Sequence, residues 1–288
     1  MKAWQRGIQY AAIALAIALC IAIVGGIVGG LRFATELLEV WHSRSDAPVG
    51  TSSVSDSAIG DNNSYTPSGT VRELELEIGA ATLQICTGET FRLETNLKKL
   101  TVSEEAGVWV IRQGAERFPT NLSDRYIRLT VPADAALDKV ELEAGAGDVD
   151  VEALTAAELD LELGAGQFRA GSLTATGKAE IEGGAGRLVI EGGALHDLDM
   201  QMGAGKTELR ARLSGDCSLD VGMGAAEIAL SGSREDYRLR IDKGLGYVTV
   251  DGKAVRSGDV IGDGAARVAL TGGMGRITVE YTADSATR

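Results

Sequence analysis

The feature that most constrains this 288-residue chain is a glycine signature that returns every 19 to 21 residues. Gly-x-Gly or Gly-Ala-Ala begins at Gly145, Gly164, Gly184, Gly203, Gly224, Gly244 and Gly264, with an earlier copy at Gly79 and a short last one at Gly273. A fixed period near 20 marks a solenoid, in which each repeat is one unit that cannot bury its apolar face alone and must stack on its neighbours.

Within each repeat the apolar residues alternate. Before the glycine stand Leu159, Leu161 and Leu163; Leu198, Met200 and Met202; Leu219, Val221 and Met223; Tyr237, Leu239 and Ile241. Period two reads as a strand with one buried face, and it is incompatible with a helix, whose apolar stripe recurs every 3.6 residues. After the motif the apolar positions resume one step out of phase, as at Val149 and Val151, Phe168 and Ala170, Leu188 and Ile190, or Val248 and Val250. A glycine-flanked phase slip is what a bulge or tight bend requires, because glycine adopts backbone conformations that a side chain forbids. The unit is therefore strand, corner, strand, turn. The middle motif residues, Ala146, Ala165, Ala185, Ala204, Ala225, Leu245 and Ala265, are expected to continue the inward register.

The expected fold is all-β: a β-solenoid of about 20 residues and two strands per coil, regular over 140–281 and preceded by a single N-terminal transmembrane helix. Residues 71–139 form leading strands and a cap that hides strand edges, and 282–288 form a tail. With aromatics at only 5%, the core must consist of thin layers of aliphatic side chains.

Residues 202–207, Met-Gly-Ala-Gly-Lys-Thr, imitate a phosphate-binding loop. The motif needs a further glycine five positions before Gly205, where Met200 stands, and it needs a helix after the loop. Lys206 occupies the slot that holds Asp148, Gln167, Arg187, Glu227, Tyr247 and Arg267 in other repeats, so it reads as outward variation on a strand and no nucleotide is expected.

The N-terminal region differs in kind. After the flank 1–7, no charged residue occurs from Ile8 to Leu31, long enough as a helix to cross a hydrocarbon layer. Trp4 and Trp41 flank the run, and Lys2 and Arg6 place the N-terminus on the cytoplasmic side, with the solenoid outside. Ala14, Ala18, Ala22, Gly26 and Gly30 fall four apart, a stripe that would let a second helix approach, hence a candidate route to a homo-oligomer. Residues 32–70 are juxtamembrane chain and a flexible spacer rich in Ser, Asn and Pro.

The formal net charge of −13 excludes nucleic acid, whose binding is driven by Lys and Arg displacing counterions. Cys20, Cys86 and Cys217 provide no disulfide framework or metal spacing, and neither His42 nor His196 belongs to a nucleophile and base constellation legible in sequence. No catalytic residue and no cofactor is assigned. The single candidate site is acidic. Glu141, Asp160, Glu180, Asp199 and Asp220 precede the motif glycine by four, and Glu143, Glu162 and Glu182 by two. Stacked in register they would form two carboxylate columns, either a solvated face or a surface for Ca²⁺ or a cationic partner, although no calcium-loop motif is present.

ELELEIGAATLQICTGETFRLET (73–95), RYIRLTVPADAALDKVELEAGAGDVDVEAL (125–154), DGKAV (251–255) and GGMGRITVEY (272–281) resemble the bacterial candidate-adhesin family of β-strand-repeat proteins, built on a domain of unknown function. The resemblance spans residues 71–281 and implies a surface-exposed, extracytoplasmic solenoid on a cell membrane, of the kind found beside envelope-stress regulators in Gram-positive bacteria. It assigns no catalytic residues. The expected role is a non-enzymatic, adhesin-like interaction or scaffold protein with a protein or cell-wall partner. The alternatives are an accessory protein in envelope-stress signalling and, third, a carbohydrate-active enzyme built on carboxylates alone.

Overall fold

The computed structural model describes residues 63–114 and 125–282, which lie in a compact unit, Ser55–Arg288. The alternation seen in sequence becomes one coiled sheet with a single apolar core. Its leading strands are β1 (Asn63–Tyr65), β2 (Glu73–Ala80), β3 (Thr82–Gly88), β4 (Arg92–Thr95), β5 (Leu100–Glu105), β6 (Val108–Gln113) and β7 (Tyr126–Pro132). The central coils are β8 (Leu137–Ile190), β9 (Gly193–His196), β10 (Leu198–Ser214) and β11 (Asp216–Ser231). The last are β12 (Tyr237–Lys243), β13 (Tyr247–Val250), β14 (Lys253–Ala254), β15 (Val260–Ile261) and β16 (Ala266–Thr282).

This fold corrects the expectation of a solenoid led by a transmembrane helix. Among the described residues it is all-β apart from the 3-10 turn Arg234–Asp236, and no helix there is long and apolar enough to cross a membrane. The apolar run 8–31, with Ala14, Ala18, Ala22, Gly26 and Gly30, lies outside the described residues.

Coils stack in parallel register. Met200 pairs with Leu219 and Ile181, and Leu209 with Ile228 and Ile190, so each inward position meets its equivalent one rung away. The extended backbone does not break at each corner as expected. β8 passes through Gly145, Gly164 and Gly184 without leaving the sheet.

The corners are built by two glycine columns. A Cβ at Gly166 would stand 2.0 Å from the carbonyl oxygen of Gly147, and the backbone there has φ +144°. Stacked backbones thus approach too closely for any side chain. The residue between the two glycines points outward, contrary to the inward register expected of it: Ala146, Ala165 and Ala185 are exposed. Two glycines also change place. Gly224 pairs with Gly205, so the first glycine of that rung is Gly222, which stacks on Gly203. Gly264 lies outside the column, against Asp236 and Tyr237, and its rung turns at Gly273 and Gly275.

Rung order departs from chain order at both ends. β16 is inserted between β11 and the pair β12 and β13, so the last strand makes the penultimate rung. At the other end β2 and β3 lie between the first coil of β8 and an outer rung made by β6 and β7. Antiparallel β5 and β4 then cover that outer rung, and β1 covers β4. The scarce aromatics collect at these ends: Phe91 meets Trp109 edge-on at 6.1 Å, and Tyr237 lies 5.9 Å from Tyr281. The buried Tyr237 hydroxyl donates to the Ser231 carbonyl at 2.5 Å and accepts from the Leu213 N–H at 3.3 Å, which ties the reordered rungs to the regular stack.

Candidate functional site

Parallel stacking sets outward side chains in columns, and the strand before the corner carries the acidic ones. Glu75 pairs with Glu141 and Glu77 with Glu143, while Glu180 pairs with Asp199 and Glu182 with Gln201. Gly145, Gly164 and Gly184 stack in the adjoining column, which sets Asp160 between Glu141 and Glu180, and Glu162 between Glu143 and Glu182. Because Gly222 is the corner glycine of its rung, Asp220 falls opposite Gln201 in the second column, and Ser218 takes the place opposite Asp199.

The electrostatics follow from that placement. Burial raises the affinity of Asp160 for a proton, and the carboxylates of Glu141 and Glu180 add to it, opposed by Lys139 and Lys178. Burial also raises Glu162, reinforced by Glu143, Asp160, Glu182 and Glu141. The available lysines are committed to the first column, Lys139 to Glu141 at 2.8 Å and Lys178 to Glu180 at 2.6 Å. The ladder ends at Arg112, which bridges Glu75 at 3.1 Å and Glu77 at 3.2 Å. Glu75 and Glu77 belong to the same columns, a membership that sequence reasoning missed although they precede Gly79 by four and two.

The strand after the corner carries both signs. Lys206, the lysine of the phosphate-loop imitation, pairs with Glu208 at 3.0 Å and Glu227 at 3.2 Å, and Arg187 reaches Glu208 at 2.5 Å. His196, expected in a turn, ends β9 in register with Ser214, with Nδ1 3.0 Å from the Ser214 hydroxyl and Nε2 3.4 Å from Asp197. The other Asp197 oxygen accepts the Asp216 N–H at 2.8 Å, so the three side chains knit neighbouring turns together. Among the described residues no three His, Cys, Asp or Glu side chains converge to hold a metal ion. The carboxylates form an open ladder, whereas Ca²⁺ demands six to eight oxygens around one point. Cys217 is buried with its thiol pushed up in pKa by desolvation, which makes it inert.

A small cavity of about 30 Å³ lies behind the corners between Leu163, Phe168, Leu188 and Met202.

Fold and face together define a class, the all-β solenoids that present ordered columns of side chains on rigid coils. The chain belongs to the Toastrack DUF4097 family, whose profile matches residues 86–260. Among solved structures it is similar to a candidate cell-adhesion protein from Clostridium sporogenes, at 13% identity and a TM-score of 0.36, covering 77% of this chain and 99% of that one. It is also similar to a candidate adhesin from Bacteroides fragilis, at 12% identity and a TM-score of 0.36, covering 77% and 96%. A third such protein, from Parabacteroides merdae, shares 10% identity with a TM-score of 0.35, over 77% and 95%. No curated protein matches significantly.

Proposed function

We propose that this chain is a non-enzymatic, adhesin-like binding scaffold, acting outside the cytoplasm, whose acidic face takes a cationic protein or cell-wall partner. One observation carries the reading: Glu162 stands in a column between Glu143 and Glu182, where burial first, and then Glu143, Asp160, Glu182 and Glu141, oppose its ionisation. Lys139 and Lys178 are paired within the first column, so the like charges of the second gain most from a partner that supplies countercharge. The rigid stack keeps the carboxylates at rung spacing, about 4.8 Å, which suits a polymer or peptide with repeated positive groups. Neighbouring proteins described as candidate adhesins agree with a binding role.

The test is binding of a lysine-rich peptide to the full chain, read by calorimetry at low and high salt. Affinity is expected to fall with ionic strength, and to drop about tenfold or more in a Glu143→Gln, Glu162→Gln, Glu182→Gln variant, as loss of steering charge predicts. Equal affinity in that variant would overturn the assignment of this face.

A further inference from the structure

The residues that lead the chain into the stack are fastened differently from the coils. β1 lies antiparallel on the outer edge of β4, as Asn63↔Thr95, Ser64↔Glu94 and Tyr65↔Leu93, and the Arg92 guanidinium donates to the Ser64 hydroxyl at 3.2 Å. Pro67 has no N–H to offer a ladder, and β1 stops short of it. The chain then crosses to β5, where a single side chain takes hold of it. The Glu104 carboxylate accepts the Ser68 N–H at 2.6 Å, the Ser68 hydroxyl at 3.0 Å and the Gly69 N–H at 2.8 Å. A Cβ at Gly69 would lie 2.8 Å from the same carboxylate, so the backbone is drawn close against it. Among the described residues, every hydrogen bond from 66–70 to the rest of the fold ends on Glu104.

Little else resists opening. None of residues 63–70 is buried, Tyr65 only rests against the core, and the first core residue is Val71. The coils differ in kind: β7, on the other side of β4, buries Ile127 and Leu129 completely. Segments held by exposed hydrogen bonds and few apolar contacts open on their own, well before a packed core does. What holds this one is a charge-assisted clamp. The Ser68 N–H holds the Glu104 carboxyl below the usual carboxylate range, helped by the Ser68 hydroxyl and the Gly69 N–H and opposed by burial. The clamp is therefore ionised and closed at neutral pH.

We propose that residues 63–70 form a releasable strap, closed by Glu104 and opening as one unit while the coils stay folded. The two fastenings act in series: β1 holds one end and Glu104 the other, so loss of either loosens both. A load arriving through the preceding chain falls first on the pair Asn63↔Thr95, at the free end of a three-residue ladder. Opening has two consequences. It adds eight residues of slack, about 26 Å when extended, between that chain and the stack. It also bares the outer edge of β4, whose partner on that side is β1, and an unpaired strand edge is a template for a further strand. The strap lies on the cap and works whatever the acidic face binds.

Amide hydrogen exchange of the full chain at neutral pH tests the coupling between the two ends. Glu104→Ala is expected to speed exchange at residues 63–65, whose ladder Glu104 does not touch, about tenfold or more, and to leave β8, β10 and β11 as protected as before. The converse uses a lock. Ser64 and Glu94 stand opposite each other on antiparallel strands, at a separation a disulfide can bridge. In the oxidised Ser64→Cys, Glu94→Cys protein the amides of Ser68 and Gly69, at the far end of the strap, should exchange about tenfold or more slowly. Exchange at 63–65 unmoved by Glu104→Ala, or at Ser68 and Gly69 unmoved by the lock, would overturn the single unit. Protection of 63–70 lost only together with that of the coils would overturn the strap altogether.

Discussion

Met202 fills the space that a side chain at Gly183 would occupy: a Cβ built on Gly183 would lie 2.2 Å from the Met202 sulfur. Gly183 stands in an inward column where neighbouring rungs carry Leu163 and Met202, so one rung has given up its side chain and the next has lent its own. Methionine suits this role because its unbranched, polarisable chain adapts to irregular gaps.

Truncating Met202 therefore enlarges the small cavity behind the corner. Met202→Ala is expected to cost about 2–4 kcal/mol in denaturant unfolding, and Gly183→Ala should recover part of that loss in the truncated background only. Additive effects of the two substitutions would show that the residues do not share the space.

The corner glycines are expected to be far less tolerant than glycines elsewhere. Gly166→Ala sets a Cβ against the backbone of Gly147, which cannot rotate away, and should cost about 3 kcal/mol or more. Gly252 also has a positive φ, +71°, but nothing lies within 4 Å of its Cβ position, so Gly252→Ala should cost only about 1–2 kcal/mol. Thermal melts of the two variants decide the matter; equal losses would mean that backbone angle alone, and not close stacking, selects glycine at the corner.

Inserting β16 between β11 and β12 makes the last strand a structural wedge. A chain ending at Gly264 should lose more than a final coil: Leu239, Ile241, Val248 and Val250 have lost the rung they stack on. Their amides are predicted to exchange about 100-fold or more faster, as expected for a unit that opens independently. Protection retained at those amides would indicate that β12 and β13 dock directly on β11.

The acidic ladder has a defined pH signature. Asp160 and Glu162 are raised in the folded state, so the fold binds more protons there than the unfolded chain does, and this contribution to stability declines as pH rises through the raised values. Glu162→Gln should then stabilise the protein by about 0.5 kcal/mol near neutral pH at low salt, with the gain vanishing in acid, where Glu162 is itself protonated. Paired carboxylates act oppositely. Lys206 and Arg187 lower Glu208, and its contribution is lost as pH falls through that lowered value. A Glu162→Gln gain that persisted unchanged at low pH would rule out charge repulsion as its source.

Much of this was legible in the chain itself. Two-residue alternation and a 19 to 21 residue recurrence of glycine require strands that turn and stack, because no other arrangement buries every Leu, Val and Ile of that pattern at once. Membership of Glu141, Asp160 and Glu180 in one column follows from counting back from each glycine, since rung register is set by where the backbones must touch. Counting failed where two adjacent motifs competed: Gly222 and Gly224 both precede an acceptable residue, and only backbone contact with Gly203 and Gly205 selects the frame, moving Asp220 to the other column.

What tertiary structure alone decided is the order of the rungs and the direction of the corner residue. Local pattern specifies that a coil must stack but not on which neighbour, because every rung presents nearly the same edge. β16 rather than β12 lies against β11, where Asp216 meets Arg267, with a second contact of 2.6 Å, between residues 51 apart in the chain. Likewise the middle residue between two glycines looks inward by strict alternation, and points outward because the bend consumes a residue of phase. Sequence periodicity counts residues, while the path of the backbone through a corner is settled only when the next rung is laid against it.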